Sequence, residues 1–386
     1  MTFDISTVIR PNILNLKPYR CARDDYSEGM LLDANENAYG PMIAGLQDGS
    51  ELHRYPDPHQ VTLKELMANY RNNTSAFKSE GLAPISYKNI CLGVGSDEGV
   101  DSLIRATCVP KTDKVLVLPP TYSMYSVFAM INDTEVVECP LITEDNSFDM
   151  DLDNVLETLS NDDSIKLLFI TTPGNPTGAS ISTQKIEMLL NNWSAGIVVV
   201  DEAYIDFSSS DSAAPLVNKY PNLVVIQTLS KSFGLAGVRL GLTFASEDIS
   251  KVLNVMKAPY NISKMASEIG ISALQPESLL LLNKVKLQID NEKLRVVKVL
   301  DSLDYVDKCP VGGLDANFIM VRVKDQDSEL AKNLCHDMAV KSGIVMRFRG
   351  DEPGCEGCIR ITIGTPEENS ILIREFSKTL TDLVEK

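Results

Sequence analysis

Short, largely apolar runs, most of them closed by a polar or turn-forming residue, recur along the chain. Val115–Leu118, Leu167–Ile170, Ile197–Val200, Leu223–Ile226 and Leu240–Phe244 have the length and character of buried strands. Continuous rather than alternating apolar character suits a strand covered on both faces, so the pattern predicts a mostly parallel sheet between layers of helix. Helix-like stretches alternate with these runs, beginning near Asp97, Tyr122, Thr183 and Met265. Pro276 to Leu303 reads as one long amphipathic helix able to bridge two domains. Beyond it, Asn317–Val323 and Ile359–Ile363 read as strands, with helices near Ser328–Lys341 and Pro366–Val384, forming a smaller α+β unit. The expected organisation is a large α/β domain over 46–262. The N-terminal segment 1–45 and residues 263–386, holding the linking helix and the small C-terminal domain, make up the rest.

With 386 residues the chain can bury a sizeable core in a large domain and still carry a smaller one. A net charge of −17 argues against nucleic acid and against anionic membranes as partners, while leaving room for a locally positive pocket. No stretch approaches a transmembrane span or a secretory leader, so a cytoplasmic protein is expected. The eight cysteines are scattered, as free thiols in a reducing compartment would be. Cys355 and Cys358 alone have metal-ligand spacing, without a second pair beside them, so no metal is expected. The sequons at Asn72, Asn192 and Asn261 read as chance matches.

The chemistry gathers where apolar runs end, the edge at which open α/β sheets bind ligands. Thr171 to Gly178 (T-T-P-G-N-P-T-G) follows one run, Asp201 to Tyr204 (D-E-A-Y) another, and Pro119 to Tyr122 (P-P-T-Y) a third. The fullest signal is T-L-S-K-S-F-G-L-A-G-V-R-L-G, Thr228 to Gly241. Here Lys231 stands just past a buried run, hydroxyls flank it at Thr228, Ser230 and Ser232, and Arg239 follows. Burial and a nearby arginine favour the neutral amine, the form that attacks an aldehyde, while hydroxyls and arginine suit a phosphate. Together they point to pyridoxal phosphate. A lone lysine after a strand is ordinarily a surface residue; the other three strand ends weigh against that reading. Asp201, closing an apolar strand, needs either a cationic partner, such as a protonated pyridine nitrogen, or a large pKa rise. Tyr204 and Asn175 could reach the ring hydroxyl, and Tyr122 offers a face for stacking. In Gly93 to Val100 (G-V-G-S-D-E-G-V) a glycine turn precedes a helix opened by Ser96 and Asp97, an anion site in form.

In that order, N-P-T-G, D-E-A-Y and the lysine segment resemble the fold-type I pyridoxal-phosphate aminotransferases of class II. D-A-N-E-N-A-Y-G in the N-terminal segment, R-Y-P-D-P (Arg54 to Pro58), G-S-D-E (Gly95 to Glu98), P-T-Y-S-M-Y (Pro120 to Tyr125) and C-I-R-I-T-I-G-T (Cys358 to Thr365) narrow the resemblance to the branch that acts on histidinol phosphate. The likeness runs from Arg10 to Thr365. It implies an α/β fold with a mostly parallel seven-stranded sheet in the large domain and a smaller α+β domain. It also implies a homodimer and amine exchange between histidinol phosphate and 2-oxoglutarate, giving glutamate, within histidine biosynthesis. By the same resemblance Lys231 carries the cofactor, Asp201 pairs with its ring nitrogen and Tyr204 and Asn175 with its hydroxyl, while Tyr122 stacks. Ser96, Asp97, Thr228, Ser230 and Arg239 hold its phosphate, joined by Tyr55 from the second subunit. Arg360 and an upstream arginine matching Arg347 take the substrate phosphate, with Tyr19 and Asn35 covering the substrate. Arg349 leaves the register of the second arginine open, and Gly174 and Ala38 depart from the family's usual pattern. An aromatic or broad-specificity aminotransferase, or a related decarboxylase of phosphorylated amino acids, is the alternative on the same scaffold.

Overall fold

The computed structural model describes residues 3–25, 30–44, 51–73 and 81–385. The expected boundary between residues 45 and 46 lies outside them. Seven strands form one sheet: β1 Ile90–Val94, β2 Lys114–Val117, β3 Glu135–Glu138, β4 Ile165–Thr171, β5 Ile197–Asp201, β6 Leu223–Thr228 and β7 Leu240–Ala245. Their spatial order is β1-β7-β6-β5-β4-β2-β3. All neighbouring pairs are parallel except those of β7, which runs antiparallel to both β1 and β6.

Side chains of successive residues point to opposite faces of a strand, and both faces here are dry. Val198, Val200, Val225 and Leu168 enter one apolar cluster with Leu63 and Met67 of helix Val61–Asn72 and with Val155 and Leu189. Ile197, Val199, Val224 and Phe169 enter the other, packed under Leu103 and Ile104 of helix Ser96–Thr107 and Ile249 and Leu253 of helix Glu247–Met256. Each such buried aliphatic side chain contributes roughly 1.5–3 kcal/mol from area removed from water. This two-sided burial explains why the central strands read as unbroken apolar runs.

A second, antiparallel sheet contains β8 Val306–Lys308, β9 Phe318–Val323, β10 Arg347–Phe348 and β11 Cys358–Thr362, in the order β10-β11-β9-β8. Helices Ser328–Ser342 and Pro366–Val384 cover it, closing a core around Ile319, Val321, Leu334, Met338, Ile361 and Phe376. The long helix runs from Pro276 to Leu300 and inserts Val296 and Leu300 into this core. It stops three residues short of the predicted end because the chain turns at Asp301, whose carboxylate accepts from the Cys309 amide at 2.8 Å. No helix among the described residues is long and apolar enough to cross a membrane.

Candidate active site

Strands β4, β5 and β6 bring Thr171, Asp201 and Thr228 to one edge of the large sheet. Thr171 lies opposite Asp201 in the ladder, and Asp201 opposite Ile226. There a cavity of about 440 Å³ opens between the two sheets. Ser96, Asp97, Tyr122, Asn175, Asp201, Tyr204, Thr228, Ser230, Lys231 and Arg239 line it, and Arg347, Arg349 and Arg360 face them from β10, β11 and the loop beside them. Most of the expected site residues are therefore brought together. Tyr55, Tyr19 and Asn35 are not: within one chain they stand outside this cavity. Tyr55 stacks on Tyr260 at 4.6 Å between ring centres, Tyr19 meets the edge of Tyr260 at 6.0 Å, and Asn35 lies in a neighbouring groove with Tyr55 and Tyr260.

Lys231 is exposed, rather than buried as its place after an apolar run suggests, its Nζ 5.6 Å from the centre of the Tyr204 ring. Desolvation, then the charges of Arg360 and Arg239, push its pKa below that of an ordinary lysine, while Asp97 and Asp201 oppose the shift. The neutral amine is thereby favoured at lower pH than on a free lysine.

Asp201 is buried. Desolvation raises its carboxyl to about 6, with a hydrogen bond from Tyr125 acting the other way. The Tyr125 hydroxyl donates to Asp201 Oδ2 at 2.7 Å, and the Ala203 amide donates to Oδ1 at 3.1 Å. With its single proton committed, the Tyr125 oxygen accepts from Thr171 Oγ1 at 2.9 Å, and Thr171 in turn lies 3.0 Å from Thr121 Oγ1. The Tyr125 ring is fixed by stacking on Phe169 at 4.6 Å. Tyr125 belongs to the site, yet its place in P-T-Y-S-M-Y carried no signal beyond that of an apolar helix face. Only the depth of Asp201 reveals it.

At the phosphate-like end, Gly95 has φ +75° and caps helix Ser96–Thr107 without any side-chain bond to the first amides. Those N–H groups are left for an anion, as the helix dipole favours. At φ +75° Gly95 holds a backbone conformation that L side chains rarely adopt, and a Cβ at Gly241 would collide with the Gly95 backbone, so both glycines are required for this approach. Arg239 takes a left-handed backbone conformation, and its Nη2 lies 4.0 Å from Asp97 Oδ2. The Tyr122 hydroxyl donates to Asp97 Oδ1 at 3.2 Å. Ser232 turns away from the cavity and bonds Asp206 instead.

On the opposite wall Arg347 and Arg360 are direct cross-strand partners of β10 and β11. The Arg360 Nη1 donates to the side-chain oxygen of Asn175, which leaves the Asn175 NH₂ as the donor into the cavity. Arg349 is engaged by Glu352 at 2.8 Å. A phosphorylated pyridine aldehyde fits this donor set: a bare helix start and arginine at one end, a buried acid at the other, and a deprotonable amine between them.

These features define an aminotransferase site, and the chain belongs to the class I and II aminotransferase family, whose model matches residues 27–376. It is 57% identical over 384 residues to histidinol-phosphate aminotransferase of Saccharomyces cerevisiae, covering 99% of each chain. It is 47% identical over 393 residues to the enzyme of the same name from Schizosaccharomyces pombe, covering 100% of each. The fold is also that of the Sinorhizobium meliloti histidinol-phosphate aminotransferase solved in complex with pyridoxal-5′-phosphate. The TM-score is 0.76 at 22% identity, over 91% of this chain and 90% of that one.

Proposed function

We propose that the chain catalyses reversible amino transfer between L-histidinol phosphate and 2-oxoglutarate, as a step of histidine biosynthesis, with pyridoxal phosphate as cofactor. The observation that carries this reading is the pairing of a depressed-pKa lysine and a buried aspartate with two cross-strand arginines across one cavity. Pyridoxal phosphate, when bound, supplies an aldehyde for the substrate amine and an electron sink for the bonds of the amine-bearing carbon. Lys231 takes up and returns the proton of that carbon. Asp201, held by Tyr125, would pair with a protonated ring nitrogen. Asn175 and Tyr204 would hold the ring hydroxyl, and Tyr122 would stack on the ring. The amides of Ser96 and Asp97, with Thr228, Ser230 and Arg239, hold the cofactor phosphate.

Arg347 and Arg360 receive the substrate's phosphate in one half-reaction and a glutamate carboxylate in the other, since both anions accept paired guanidinium bonds. Arg347 rather than Arg349 is assigned as Arg360's companion, because Glu352 already occupies Arg349. The working form is a homodimer, with Tyr55, Tyr19 and Asn35 serving the second subunit's cavity. Their position outside their own cavity supports this, as the thiol state of all eight cysteines supports a cytoplasmic setting. The large domain is taken as 46–262, a reading supported by the seven-stranded sheet running from Ile90 to Ala245 with flanking helices from Val61 to Met256. The test is transamination of histidinol phosphate with 2-oxoglutarate, with and without added pyridoxal phosphate, against phenylalanine as competitor. Equal catalytic efficiency on the two amines would favour a broad-specificity aminotransferase, and carbon dioxide release from a phosphorylated amino acid would favour a decarboxylase.

A further inference from the structure

Behind the cavity floor lies a buried polar network that the proposed chemistry does not use. Asp206, two residues past Tyr204, accepts from Ser232 Oγ at 2.6 Å through Oδ2. Its Oδ1 accepts from Arg71 Nη1 at 2.7 Å and Tyr70 Oη at 3.0 Å. The Nε of Arg71 donates to Gln227 Oε1 at 2.7 Å, and the Gln227 amide donates to Glu202 Oε2 at 2.7 Å. The Arg71 and Asp206 side chains are 7% and 9% exposed. Three members of the network are adjacent in sequence to residues that line the cavity: Ser232 follows Lys231, Gln227 precedes Thr228, and Glu202 follows Asp201.

Charged groups are costly to bury, and a set this complete fixes geometry because each member is satisfied only in one arrangement. The loop carrying Lys231 has no regular secondary structure between Thr228 and Ala236. Its hydroxyl tether to Asp206 therefore bears directly on where the lysine amine sits. We propose that Asp206, anchored by Arg71 from helix Val61–Asn72, is a positioning residue that sets the reach of Lys231 through Ser232. The proposal rests on Lys231 being the lysine that takes up pyridoxal phosphate.

Asp206 or Arg71 variants would strand a buried charge, so the test is made at the tether. Ser232→Ala removes only the hydroxyl, and Ser232→Thr keeps one. With Ser232→Ala, cofactor-free protein mixed with pyridoxal phosphate is expected to regain its visible absorbance about tenfold more slowly. The pH midpoint of that absorbance shifts, and kcat falls about tenfold while KM for glutamate stays within twofold. Ser232→Thr keeps the parent's values. An alanine variant with parental uptake rate, pH midpoint and kcat overturns the proposal. So does one whose sole change is a lower melting temperature, or a threonine variant as impaired as the alanine one. Borohydride reduction and peptide mapping of the parent locate the cofactor independently. A label found on another lysine sinks the cofactor assignment itself, whatever Ser232→Ala does.

Discussion

Tyr125 and Asp201 are joined by a 2.7 Å hydrogen bond in which the phenol donates and the buried carboxylate accepts. The bond lowers the cost of an ionised aspartate at the closed end of β5, where desolvation pulls the other way. Tyr125→Phe leaves the ring stacked on Phe169 and removes only that donor. Loss of one hydrogen bond to a charged group, about 1.5 kcal/mol, weakens pyridoxal phosphate about tenfold. Equilibrium titration of the cofactor-free protein, followed by absorbance, reads this directly.

Lys231→Ala removes the one amine that lines the cavity among the described residues. Turnover is expected to fall below detection, together with the visible absorbance and the borohydride-trapped label. Full activity in this variant would remove the basis of the proposed mechanism.

Asp201 gives the cofactor-free protein a signature in pH. Burial raises its folded-state pKa to about 6, above the 3.8 of an unperturbed aspartate. A raised pKa means that the folded chain binds the proton more tightly. Its contribution to stability is complete below pH about 4 and is lost as pH rises through about 6. Asp201→Asn has no proton to lose, so the cofactor-free variant gains on the parent above pH 6, by on the order of 3 kcal/mol. With pyridoxal phosphate present the order reverses, because asparagine cannot pair with a cationic ring nitrogen. Urea midpoints at pH 4 and 8, with and without cofactor, test both halves.

The arginines divide by their partners. Arg347→Ala and Arg360→Ala each remove a guanidinium from the cross-strand pair, and each raises KM for histidinol phosphate about 10- to 100-fold, the range of one or two charge-assisted bonds. Arg349→Ala, which breaks a contact with Glu352, has a smaller effect. Initial rates at fixed 2-oxoglutarate separate the three.

The central strands were legible because burial on both faces leaves an uninterrupted apolar run, as at Ile197–Val200. The flanking strands were not. β1 carries Gly93 within it, and edge strand β3 offers only Val136 and Val137 between two glutamates, half-exposed at the sheet margin. Helix Val61–Asn72 was also missed, since Lys64 and Arg71 occupy buried positions that apolar periodicity would fill with hydrocarbon. In the site, Lys231, Asp201 and Arg239 announced themselves by charge at strand ends. Tyr125 and Asp206 did not, because their roles depend on what lies beneath them rather than on their neighbours in sequence. The companion of Arg360 needed the register: Arg347 and Arg349 both fit the spacing, and the ladder places Arg347 opposite.

Asp201 ends β5 of the seven-stranded sheet, and Lys231 and Arg239 stand in the connection between its strands β6 and β7, whereas Arg347 and Arg360 are carried by the four-stranded sheet. On the proposed reading, reactivity and recognition thus occupy separate structural blocks, which face each other across the cavity and are held together beside it by the Gly313 and Asp315 amides donating to the Thr177 and Gly178 carbonyls at 3.0 Å. A lineage, or an engineer, can rewrite what is recognised through β10, β11 and their connecting loop while leaving the bond-making half untouched. One catalytic floor could in this way serve many amine donors.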